Sequence, residues 1–80
     1  MTLERLSSNL DGVEIVDSAR KHGIADADIR HAVTYAMTYH SVDGYTMIVG
    51  PTSTGHIIEV AINRYDQVFH AMPARNRFLP

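Results

Sequence analysis

The spacing of apolar residues changes once along this chain, near Gly44. Ahead of it, Ile29, Ala32, Val33, Ala36 and Met37 recur at helical intervals. At about 100° per residue they share one face, with Arg30, His31, Thr34 and Thr38 opposite. Asp26 is a helix N-cap candidate and Asp28 falls in the first turn, where the helix dipole favours negative charge. The pattern predicts a helix from residue 26 that frays by Tyr39 and releases His40 into a loop over 41–44. Beyond Gly44 the period becomes alternating and β-branched residues take over in YTMIVG, HIIEVAINR and QVFHAM. These are three predicted strands, joined by PTSTG at 51–55 and by Arg64-Tyr65-Asp66 in an antiparallel meander.

Upstream, Asp11-Gly12 is a turn signal, and 13–16 alternate as a short strand with Val13 and Ile15 on one face. Asp17-Ser18 then caps a short predicted helix over 18–22, stopped by Gly23. Leu3, Leu6 and Leu10 mark residues 1–10 as a loose arm or short helix. The expected order is therefore β-α-α-β-β-β: an α+β domain over residues 11–80, of two layers, with both helices on one side of a small sheet.

Register follows from requiring one uniformly apolar sheet face, since a one-residue slip exchanges the faces. Pairing Val49 with His56 and Asn63 with Val68 meets that requirement. Tyr45, Met47, Val49, Ile58, Val60, Ile62, Phe69 and Ala71 then face the helices. Thr46, Ile48, Ile57, Glu59, Ala61, Asn63, Val68, His70 and Met72 face away. His70 comes to lie diagonally opposite Glu59, within reach of a long side chain. The apolar members of the outer face lack a cover, apart from the N-terminal arm, so a partner protein or a second copy is expected there.

Eighty residues bound the chain to one domain, and 45% hydrophobic with 20% charged residues marks a folding sequence. With no cysteine and a net charge of −2, neither a disulfide framework nor a broad electrostatic grip on nucleic acid is expected. The apolar runs are too short for a membrane span, and MTLERLSSNL lacks a secretory pattern, so a cytoplasmic location without membrane contact is expected.

Five histidines raise the question of metal, but His31 and His40 are nine residues apart and His22 lies across Gly23, which fits no ligand spacing. No metal or other cofactor is expected. The His70–Glu59 pair has two readings: a carboxylate that orients an acid–base imidazole, or an ordinary cross-strand surface pair. Arg75 and Arg77 follow Pro73, which ends the last strand, and are expected to be mobile and available to phosphate, with Asn76 and Phe78 beside them. Lys21 and His22 close the first predicted helix, where cations suit the dipole. No cysteine nucleophile, glycine-rich phosphate loop or nucleophile elbow is present.

In order, EIVDSARKHGIADADIRHAV, MIVG, GHIIEVAI and VFHAMPARNRFL resemble the BrnT family of small bacterial toxins, which has a RelE-like ribonuclease fold. The likeness covers roughly residues 13–79. The serine-alanine-arginine step usual in the family's last strand falls on His70, Ala71 and Met72, with Arg75 in place of its arginine. The resemblance implies a toxin of a type II toxin-antitoxin pair, held by a small DNA-binding antitoxin and cleaving RNA without metal through the substrate's own 2′-hydroxyl. It implies His70 as acid or base beside Glu59, Arg75 as the clamp on phosphate, Lys21 or His22 as a supporting cation, and Lys21, Arg75 and Arg77 as RNA contacts. The competing expectation is a non-catalytic interaction module of the same fold, binding a partner or itself through the outer sheet face.

Overall fold

The computed structural model describes residues 13–79, so the expected arm over 1–10 lies outside the described residues. The chain runs through β1 (Glu14–Ile15), a 3-10 turn (Asp17–Arg20), α1 (Asp26–Thr34) and β2 (Thr38–Val42). β3 (Tyr45–Pro51), β4 (Ile57–Asn63), β5 (Gln67–Pro73) and a second 3-10 turn (Asn76–Phe78) follow. The strands form one mixed sheet in the order β1-β5-β4-β3-β2, with β1 parallel to β5 and the other pairs antiparallel. The expected α+β class therefore needs correction in its architecture: among the described residues there is one α-helix and a five-stranded sheet, not two helices and a three-stranded meander.

Both helix expectations were too long for identifiable reasons. Residues 17–20 close a single 3-10 turn, the usual use of that geometry in short connectors. Gly23, at φ 76°, then turns the chain away, as its predicted role required. α1 ends at Thr34 because Tyr35 leaves the helical region, at φ −108° and ψ 37°, with its N–H on the His31 carbonyl. The next residues include the strand formers Thr38, Tyr39 and Val42, and they pair with β3 across a two-residue Asp43-Gly44 connection. Gly44 supplies the positive φ of 86° that this connection needs.

The register of β3 also differs from expectation. Val49 lies opposite Glu59 rather than His56, because β3 continues through Pro51 and the turn occupies 52–56 instead. Thr52 closes that turn: its backbone N–H donates to the His56 carbonyl and its Oγ1 accepts the His56 N–H. Moving the partner from 56 to 59 is a shift of three, an odd number, so β3 exchanges its faces. Ile48 joins the core, while Met47 and Val49 share the opposite face with Glu59 and Ala61.

The helix-side core gathers Ile15, Ala19, Ile29, Ala32, Ile48, Ile58, Val60, Val68 and Ala71, all buried. Each buried valine or isoleucine among them contributes roughly 1.5–3 kcal/mol. Val68, expected to face outward, is in this core because of a bulge. Pairing of β4 with β5 follows the expected register from Ile58–Pro73 to Ala61–His70, then shifts so that Ile62 meets Val68. Phe69 is the extra residue. On the other face Met47, Val49, Glu59 and Ala61 are buried as well, so the middle of the sheet is covered on both sides.

Candidate active site

Glu59, in the middle of β4, is completely buried. A buried carboxylate is costly unless charge and hydrogen bonds compensate it. Here the compensation comes from the end of β5. After Pro73 the chain stays beside β4 through the Ala74 N–H on the Ile57 carbonyl. Arg75 then donates its backbone N–H to Glu59 Oε1 at 3.0 Å, and its guanidinium to both oxygens, the shortest contact being Nη2 to Oε2 at 2.6 Å. His70 Nε2 lies 2.8 Å from the same Oε2. An ionised carboxylate only accepts, so Nε2 carries the proton of this hydrogen bond.

Burial pushes the Glu59 carboxyl up, but the Arg75 side chain, the Arg75 backbone N–H and His70 together outweigh it and hold the group below its ordinary value. The Arg75 guanidinium is in turn shifted upward, first by its hydrogen bonds to Glu59.

The 3-10 turn after β1 completes the site. Ser18 Oγ donates to the Phe69 carbonyl at 2.7 Å, fastening the turn to β5 at the bulge. That anchor brings His22 beside His70, with ring centroids 6.0 Å apart and planes at 78°. A cavity of about 380 Å³ opens between them, lined by Ser18, Lys21, His22, Tyr45, Met47, Ala61, Phe69, His70 and Arg75. Tyr45 and Phe69 meet edge to face at 5.4 Å across it.

His70, Glu59, Arg75, His22 and Lys21, all singled out in the sequence, are thus brought together, whereas Arg77 is not among the lining residues. Arg75 was expected on a mobile segment, but it is clamped to Glu59. The sequence reading missed Ser18, Tyr45 and Phe69. Phe69 reaches this face only through the bulge, a device that commonly re-aims side chains near functional sites. Tyr45 shares this face because β3 pairs Val49 with Glu59, a register decided by where the β3–β4 turn begins.

The remaining histidines make local bonds: His31 Nδ1 with the Pro51 carbonyl, His40 with Thr38, and His56 with Thr54. Among the described residues no group of three or more His, Asp or Glu is placed to hold a metal ion, and no helix is long and apolar enough to cross a membrane. No protein-family model, curated protein or solved structure matches this chain. Function rests on the chemistry of the cavity.

Proposed function

We propose that this protein is a metal-independent endoribonuclease, acting as the toxin of a toxin-antitoxin pair with a cognate antitoxin protein. The observation that carries the catalytic reading is the His22–His70 juxtaposition in a cavity that also holds Lys21 and Arg75. RNA transesterification needs one group to take the 2′-hydroxyl proton and another to protonate the departing 5′-oxygen, with cations facing the phosphoryl oxygens. Glu59 holds His70 with Nε2 protonated, so Nδ1 serves as the base. His22, in its protonated form, serves as the acid. The 2′-oxygen bonds to phosphorus, the P–O5′ bond breaks, and the products are a 2′,3′-cyclic phosphate and a 5′-hydroxyl. Lys21 neutralises the phosphate, while Arg75 acts chiefly by fixing Glu59. The toxin role rests on the ordered likeness to BrnT-like chains.

Purified protein incubated with mixed single-stranded RNA in the presence of a chelator tests the reading. Fragments ending in cyclic phosphate, lost in His22→Ala and His70→Ala, are expected. Intact RNA with folded wild-type protein would overturn it.

A second reading, a protein-interaction module, is favoured by the exposed Tyr39 on edge strand β2 and the exposed Tyr35 and Met37 just ahead of it. A strand at the edge of a sheet is a template on which another strand can pair. A concentration-dependent dimer that Tyr39→Lys dissociates would support it, and a monomer at all concentrations would count against self-association.

A further inference from the structure

A second cavity, of about 430 Å³, lies at the end of the sheet formed by the Asp43-Gly44 turn and the β4–β5 turn. It is lined by Gly44, Tyr45, Thr46, Ile62, Asn63 and Arg64. Tyr45 also lines the histidine cavity, so the two cavities meet at this one residue at the end of the sheet. Resting on the ribonuclease reading, we infer that the two cavities form one groove for single-stranded RNA, with a base stacked at Tyr45 beside the scissile phosphate and the adjoining nucleotide's phosphate at Arg64.

Three observations fit a strand rather than a mononucleotide. The apolar and aromatic surface is at the junction: Tyr45 is half-buried, and Phe69 supports its ring at 87°. Flat aromatic surface of this kind binds splayed, unstacked bases, which single strands offer and duplexes do not. Polar and cationic groups occur on both sides of that junction, Lys21 and His22 in one cavity, Asn63 and Arg64 in the other. Their separation by a base-binding wall matches the alternation of phosphate and base along a strand. Asn63 is held in place, its Oδ1 accepting the Tyr65 and Gln67 N–H groups and its Nδ2 donating to Gln67. The wall opposite Tyr45 on β4 is therefore rigid.

The chain's net charge of −2 limits how much of the affinity is electrostatic, which makes stacking and the few local cations decisive. The Arg75 charge is already answered by Glu59, so Arg64 is the cation whose removal reports on the second cavity alone.

Steady-state cleavage of a single-stranded tetranucleotide, a dinucleotide and a hairpin duplex tests the inference, alongside binding of a non-cleavable tetranucleotide with 2′-deoxy sugars. Tyr45→Ala is expected to raise KM roughly five- to 100-fold, the loss of one base–aromatic stack, with Tyr45→Phe restoring most of it. Arg64→Ala is expected to shorten the dependence of log affinity on log salt by about 0.7, one phosphate contact for a single strand. Arg64→Ala should also weaken the tetranucleotide more than the dinucleotide. Cleavage with KM unchanged in both variants, or equal cleavage of the duplex, would overturn the groove while leaving the ribonuclease reading standing. Absence of cleavage by wild type would overturn the ribonuclease reading. Absence of tetranucleotide binding would overturn the groove as well.

Discussion

Glu59 and Arg75 form a pair in which a wholly buried carboxylate meets a guanidinium at 2.6 Å, with the arginine side chain still 42% exposed. Removing one member of such a pair leaves the other charge uncompensated, which is far more damaging than never having had the pair. Because water can reach the arginine end, Arg75→Ala is expected to destabilise the fold measurably, but by less than the loss of a fully buried partner. Arg75→Lys should recover only part of this, since an ammonium cannot reproduce the paired Nε and Nη2 contacts. Urea unfolding of the three proteins measures both values. Loss of less than about 0.5 kcal/mol, the range of an ordinary surface substitution, would show the pair to be unimportant to the fold.

The same pair sets an acid dependence. The folded Glu59 carboxyl lies below its unfolded value, so its contribution to stability is present above that unfolded value, near 4.5, and is lost as pH falls through the folded value. The Tm should therefore drop steeply as pH is lowered from 6 toward 3, and Glu59→Gln should flatten that drop while lowering the Tm at pH 6. Asp26 is also shifted downward, first by its hydrogen bond from Arg20, and acts with the same sign. Some acid dependence therefore remains in Glu59→Gln, and Asp26→Asn should remove part of the remainder. Parallel Tm-against-pH curves for wild type and Glu59→Gln would contradict this.

Individual elements were legible where local signals and long-range pairing agree, although the architecture was not. The strands after Gly44, the turn at 64–66, the face of Glu59 and His70, and Gly23 as a stop all follow from period and turn chemistry. What failed was decided by tertiary context. Residues 35–37 continue the helical spacing of Ile29, Ala32 and Val33, yet the neighbouring edge of β3 captures the chain that follows as β2. The face of β3 depended on where a five-residue turn begins, and Pro51 suggested a loop start although it closes the strand. The histidine–carboxylate pair was legible from diagonal strand neighbours. Its arginine was not, because Pro73 implied release, whereas the Ala74 N–H holds the chain against β4.

Gly50 on β3 shows how closely helix and sheet approach. A Cβ at this position would collide with the Ala32 carbonyl oxygen of α1, a backbone atom that cannot swing aside. Gly50→Ala is expected to destabilise by about 1–3 kcal/mol or more through overpacking. The change would push α1 away from Ile48 and Ile58. Thermal unfolding checks it, and unchanged stability would mean that α1 slides freely on the sheet.

The catalytic reading makes a demand that a merely structural histidine would not meet. His22 is exposed, so His22→Ala should change stability by no more than about 0.5 kcal/mol. Its loss as the acid should nevertheless lower kcat by roughly 10²–10⁴-fold with little change in KM. His70→Ala should lower kcat by a similar factor, but with a measurable loss of stability, because it strips a donor from the buried Glu59 carboxylate. If His22 and His70 act in one step, combining the substitutions should cost much less than the product of the separate losses, since either alone disables the proton transfers. Single-turnover cleavage of one defined oligonucleotide by wild type, both single variants and the double variant measures this. Losses that multiply fully would separate the two histidines into independent roles and return His22 to a structural part at the end of its turn.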